Sequence, residues 1–227
     1  FNMELDKVIR RPFLDVKNLV IGCVLNNFFI INFFASGYIL KCVKLTLDGN
    51  YDLPEWDNWG DMFLGGFFQF LIGLIWLIPA LFFISIYILM VVLAMLASGG
   101  NQPELFMGFT AVISLIGFVL LFLTLYILPA AIVRFVDKDN FGAAFEFIAI
   151  IKKSLTLKYF VAWILSCIIV LIVIIIIGLL IGLIIMSVVS GAIFIGPVGI
   201  LISVLFKSVS YVGRMMIMTL FAEAYRG

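Results

Sequence analysis

The sequence predicts an all-α, polytopic helical membrane protein. It should be built from three pseudo-repeated helical hairpins, the first short or re-entrant, with in-plane amphipathic helices between them. Three observations carry this expectation. From Met62 to Met218 the chain is almost wholly apolar, and a bilayer imposes such runs because a span needs roughly 20 apolar residues to cross about 30 Å of hydrocarbon. Composition agrees: 65% of the 227 residues are hydrophobic and 12% charged, with mean hydropathy +1.30, whereas a soluble domain carries about 25% charge. Finally, the few charges sit in short clusters between the apolar runs, alternating with uncharged turns.

The elements follow in order within a single membrane domain, 1–227. Residues 1–18 mix apolar and charged positions and belong at the interface. They lack the apolar centre of a secretory signal. The chain opens at Phe1, so either Met3 is the native start or the sequence begins inside a longer precursor. Residues 19–47 form the short hairpin, interrupted by Asn26, Asn27, Asn32 and the small-residue break Ala35-Ser36-Gly37. Its limbs reach only about 20 Å each. A rival reading makes Leu19–Leu45 one full span, which gives five spans and strands four basic residues outside. Residues 63–97 and 104–136 are the second hairpin. The start of the first limb reads as an in-plane turn, and the rest as a span that is either tilted or kinked at Pro79. Residues 141–155 read as one amphipathic helix, with Phe141, Ala144, Phe145, Ile148, Ile151 and Leu155 on one face and Glu146, Lys152 and Lys153 toward water. Residues 159–187 and 197–224 are the third hairpin.

This scheme places Lys7, Arg10, Arg11, Lys17, Lys41, Lys44, Arg134, Lys138, Lys152, Lys153, Lys158 and Arg226 on one side. The positive-inside rule makes that side cytoplasmic, so the expected location is the plasma membrane, multi-pass, with both termini cytoplasmic. Trp56, Trp59, Tyr159, Trp163 and Tyr225 fall near the same interface.

Certain function classes are disfavoured. Net charge is +1, which gives no basic footprint for nucleic acid. Histidine is absent, and Cys23, Cys42 and Cys167 form no CxxC pair, so no metal and no cofactor is expected. There is no GxSxG elbow, P-loop or dinucleotide fingerprint, and no catalytic residue is assigned.

Three constellations remain as candidate sites. Ser203, Lys207, Ser210, Tyr211 and Arg214 share one face of the last helix. Lys207 lies about 24 Å from its charged end, where a cation costs about 2.5–3.5 kcal/mol. The stripe is open to three readings: a polar path or pocket for an anion or lipid headgroup, an internal ion pair or snorkelling of the long cationic side chains, or a break in the helix near Lys207. The loop residues Asp48, Asp52, Glu55, Trp56, Asp57, Trp59 and Asp61 form a candidate cytoplasmic docking surface. Alternatively they are a solvated loop that caps a helix near Pro54 and pairs with Arg134, Lys138, Lys152 or Lys153. Their spacing matches no calcium loop. Gly178 and Gly182 make a GxxxG pattern that suits close helix packing, inside the bundle or between copies. The amides Asn26, Asn27, Asn32 and Gln69 need hydrogen-bond partners at membrane depth, and the limbs of the first hairpin are the expected source.

The segments RRPFLDVKNLVIG, GYILKC, LPEWDNWGDMFLGG, AAFEF and the closing AYRG resemble the domain of unknown function 4013 family. LPEWDNWGD is the most specific of them. The resemblance implies a polytopic membrane protein of prokaryotic, often archaeal, type and brings no activity with it. NNFFIIN stands where a proline-containing break is expected. From the residues, the expected role is a non-enzymatic accessory or scaffold component. Its partners would be membrane lipids, a membrane complex or a second copy. The alternative is a small transporter or channel for a lipid, anion or small solute using the last-helix stripe.

Overall fold

The computed structural model describes residues 3–98, 104–189 and 195–226. They form eight α-helices: α1 (Leu5–Arg10), α2 (Val16–Leu25), α3 (Asn32–Leu47), α4 (Trp59–Ser98), α5 (Glu104–Lys138), α6 (Phe147–Ser154), α7 (Leu157–Val189) and α8 (Ile195–Arg226). Short 3-10 helices run over Arg11–Phe13 and Phe141–Phe145, and no strand occurs among the described residues. Four helices are long and apolar enough to cross a membrane, the spans being Trp59–Leu96, Phe106–Lys138, Leu157–Leu179 and Ile202–Arg226. Chain contacts divide into two units, one comprising Phe1–Gln69 with Ala130–Gly227, the other Phe70–Pro129.

The first unit is organised around α8. Gly22 of α2 and Asn26, which caps its C-terminus, meet Tyr211 and Lys207 respectively, so α2 runs antiparallel to α8. On α7, Tyr159 packs on Phe221 and Ile169 approaches Gly213, again antiparallel. Meanwhile α3 descends beside α8 in the same direction, with Ser36 near Arg214 and Thr46 near Thr219, the latter pair joined through Arg11. Small residues allow the closest approach. A Cβ at Gly37 would fall on the Met62 carbonyl, and one at Gly66 on the Phe33 carbonyl, so α3 and the start of α4 touch backbone to backbone.

The short hairpin is asymmetric. Its limbs, α2 and α3, have 10 and 16 residues, about 15 and 24 Å long, and turns over 26–31 separate them. That turn overturns the single-span alternative for Leu19–Leu45. Phe28, Phe29, Ile30 and Ile31 at the tip are exposed, an arrangement suited to acyl chains. Asp15 caps α2 through a bond from the Lys17 N–H at 2.8 Å. After α3 the chain reverses at Gly49, φ 86°, with Asn50 N–H on Leu45 O (2.8 Å) and Gly49 N–H on Thr46 O (3.0 Å). This paired closure satisfies carbonyls that the helix end would otherwise orphan.

In the second unit, Thr124 donates to the Trp76 carbonyl at 3.2 Å. A Cβ at Gly117 would lie 3.2 Å from Ile84. These pairings make its two helical segments antiparallel. Phe82, Ile88, Leu115 and Phe118 are exposed.

Several expectations are corrected. Continuous helix runs through α4 from Trp59, replacing the in-plane turn expected at its start, because this apolar segment satisfies its own backbone only as helix. Residues 141–155 are two pieces broken at Glu146, whose ψ of 73° is non-helical. Of the expected apolar face, Ile148, Ile151 and Leu155 are exposed together whereas Ala144 is buried, and Glu146 and Lys153, expected toward water, turn to protein partners. An apolar face turned outward is sensible where the surrounding medium is lipid. Arg11, expected among the interfacial cations, is fully buried.

Candidate functional site

The polar face of α8 and the amides of the short hairpin meet. Lys207 donates from Nζ to the Asn27 carbonyl at 2.6 Å, and Asn26 Nδ2 returns a bond to the Lys207 carbonyl at 2.7 Å. The ammonium thus stands at the C-terminal end of α2, where carbonyls lack intrahelical donors and the helix dipole favours a cation. Two turns further on, Arg214 donates to Ser36 Oγ at 2.7 Å and reaches Asn26 Oδ1 at 3.4 Å and Asn32 Oδ1 at 3.5 Å. The Cys23 thiol faces the Ser208 carbonyl at 3.9 Å, and the Tyr211 ring fills the place a Cβ at Gly22 would take.

Among the described residues, no ion pair joins Lys207 or Arg214 to a carboxylate. Their partners are neutral oxygens of the hairpin. The chemistry is mutual satisfaction of polar groups that hydrocarbon could not hydrate: Lys207 serves a backbone carbonyl of the turn, and Arg214 serves the side-chain oxygens of Asn26, Asn32 and Ser36. Of the expected stripe, Lys207, Tyr211 and Arg214 face the hairpin, Ser210 is half-buried, and Ser203 is exposed. The ion-pair and helix-break readings do not describe this arrangement, since α8 is continuous through Lys207.

A second polar knot lies at the charged end. Arg11 donates to Thr46 Oγ1 (2.5 Å), Thr219 Oγ1 (3.5 Å) and the Asp52 carbonyl (2.9 Å). Each threonine gives its own proton to a carbonyl one turn back, Cys42 and Met215 respectively, which leaves its lone pairs for the guanidinium. One arginine therefore ties together α3, α8 and the 48–58 loop. The sequence held no signal for this, because nothing in RRP separates a buried arginine from an interfacial one.

The acidic loop folds onto α3 and does not pair as expected. Asp57 pairs with Lys41, and Arg134 pairs instead with Glu146. Lys41, by hydrogen bond and charge, holds the Asp57 carboxyl below its ordinary value. Burial, then the bond to Glu223, pushes the Tyr51 phenol above its usual value. Trp56 stacks on Tyr38 with centroids 4.0 Å apart and lies 5.8 Å from Trp59. Asp48, Asp52, Glu55, Asp57 and Asp61 remain exposed, and no cluster of carboxylates fit for a metal occurs among the described residues. Helix α4 begins at Trp59, after Asn58 with φ 50°, not at Pro54. Nothing lies within 4 Å of a Cβ built at Gly178 or Gly182. Among the described residues, then, these glycines do not mediate the packing inside the bundle that their spacing suggested.

Four membrane-length helices with a short hairpin tied to the last of them define a polytopic helical membrane protein. The chain belongs to the family described as Protein of unknown function (DUF4013), whose model matches residues 23–182. Asn26, Asn27, Asn32 and Ser36 fall inside that stretch, while Lys207 and Arg214 lie beyond it. No curated protein and no solved structure matches the chain.

Proposed function

We propose that this protein is a non-enzymatic accessory or scaffold component of a prokaryotic plasma membrane, both termini cytoplasmic, acting through lipid or a membrane complex. The observation that carries the reading is the engagement of Lys207 and Arg214 by Asn26, Asn27, Asn32 and Ser36. Cations bonded to the protein's own hairpin serve architecture more readily than a transport path. The outward apolar residues of the interfacial elements, among them Phe13, Leu14, Val16, Ile148 and Leu155, support a role played at the membrane surface.

The second reading is a small transporter. It is favoured by the same two cations, which have no carboxylate counterion among the described residues. Reconstitution of the full chain into liposomes separates the two. The accessory role expects no chloride, small-solute or lipid flux above empty vesicles, together with copurification at fixed stoichiometry with a membrane complex or retained lipid. Flux that Lys207→Met abolishes would overturn it.

A further inference from the structure

A cavity of about 720 Å³ opens where α5, α6, α7 and α8 converge at the charged end of the first unit. Its walls include Arg134, Lys152, Lys153, Lys158, Thr156 and Ala224. We propose that it binds the phosphate-bearing headgroup of an anionic membrane lipid. This deepens the lipid-facing reading of the function and rests on it.

Charge is the first argument. Four cations, Arg134, Lys152, Lys153 and Lys158, line the cavity with no carboxylate among the described residues of its walls, and Glu146, which lines the adjoining groove, is paired with Arg134. Arg134 is further fixed by the Tyr225 hydroxyl at 3.1 Å, and Lys153 by the Tyr225 carbonyl at 2.7 Å, its ammonium 5.0 Å from the Tyr225 ring centre. The wall is thereby pre-organised. Among the described residues, Lys152 and Lys158 are in no ion pair. Lys158 also sits in the first turn of the 33-residue α7, whose N-terminal N–H groups add a positive end to the same opening.

Position is the second. A neighbouring groove of about 460 Å³, sharing Ala149 and Lys152, is walled by Phe147 and Ile148, and Ile148, Leu155 and Leu157 stand 70–77% exposed around the rim. A soluble anion has no use for such a border. A lipid does, because its chains cover the apolar rim while its phosphate enters the basic recess. Basic pockets between membrane helices at the cytoplasmic face recognise headgroups in this way.

The test uses the purified full chain in mild detergent, titrated separately with phosphatidylglycerol, phosphatidylcholine and inorganic phosphate, with bound lipid counted by native mass spectrometry. Phosphatidylglycerol should be retained about tenfold more than phosphatidylcholine. The double variant K152Q/K158Q, which breaks no ion pair among the described residues, should lose that preference by about tenfold. Thermal melting confirms that the variant is folded. If it melts early, the wild-type preference between the two lipids decides alone. Equal retention of both lipids, or an undiminished preference in the folded variant, overturns the proposal. Displacement of phosphatidylglycerol by inorganic phosphate overturns the lipid assignment in favour of a soluble ligand. Liposome flux judges the accessory role independently of headgroup selectivity, so the two can fail separately.

Discussion

Lys207 and Asn27 are 180 positions apart in the chain, yet the ammonium of one lies 2.6 Å from the carbonyl oxygen of the other. The bond closes the tip of the short hairpin onto the middle of the last helix. A lysine at that depth is costly in isolation. Here it also meets a need of the turn, whose Asn27 carbonyl accepts its ammonium and would otherwise lack a donor. Replacing it should therefore loosen the hairpin: Lys207→Met is expected to lower stability by about 1–3 kcal/mol. Alkylation of Cys23, which packs against the adjacent Ser208, should quicken several-fold. Peptide-resolved mass spectrometry reads this directly, and an unchanged Cys23 rate would show that the hairpin holds without the bond.

Arg11 should matter more than its place in an interfacial segment implies. Arg11→Leu leaves the Asp52 carbonyl without its donor and removes the link between Thr46 and Thr219. The expected loss is about 1.5–3 kcal/mol, the range for hydrogen bonds to charged groups. The neighbouring Arg10→Leu removes only an exposed pair with Asp6 and should cost under about 1 kcal/mol. Thermal melts of both variants in the same detergent make the comparison. Equal melting temperatures would contradict the buried role.

Glycines that resemble one another in sequence should respond with opposite sign. Gly37→Ala places a methyl on the Met62 backbone, and overpacking of that kind costs about 1–3 kcal/mol. Gly73 has open space around a built Cβ, so Gly73→Ala should gain up to about 1 kcal/mol from helix propensity. Melting temperatures moving in the same direction would refute the close crossing of α3 and α4.

Acid should act on the loop through Asp57. Its carboxyl is held below the ordinary value by Lys41. The stabilisation this provides is present above the ordinary carboxylate pKa and is lost as pH falls through the depressed one. Both side chains keep solvent contact, so the effect is local. In Lys41→Met the Asp57 resonance, followed by NMR, should titrate at higher pH than in the parent. An unmoved midpoint would mean that the pair does not form in solution.

Orientation is open to labelling. Single cysteines at the exposed positions Lys7 and Lys138 should react with a membrane-impermeant maleimide from the same side in intact vesicles. Reaction from opposite sides would break the hairpin scheme.

Much of the architecture was legible along the chain because the bilayer writes in long apolar runs. The limbs at 63–97, 104–136, 159–187 and 197–224 lie within α4, α5, α7 and α8, since about 30 Å of hydrocarbon sets a minimum length that composition alone reveals. The unusual groups were visible too. Lys207, Arg214, Asn26, Asn27 and Asn32 stood out as polar residues at membrane depth.

Their partnership was not visible. Local pattern marks a residue that needs a hydrogen bond, but the one that supplies it can be nearly 200 positions away. Only the packing of α2 and α3 against α8 turned two separate anomalies into one site. The same limit explains Arg11, buried where the adjacent Arg10 is exposed, and residues 141–155, where one expected helix is broken at Glu146. Hydrophobic periodicity identifies the faces of a helix. Whether lipid or protein covers each face is decided when the helices pack.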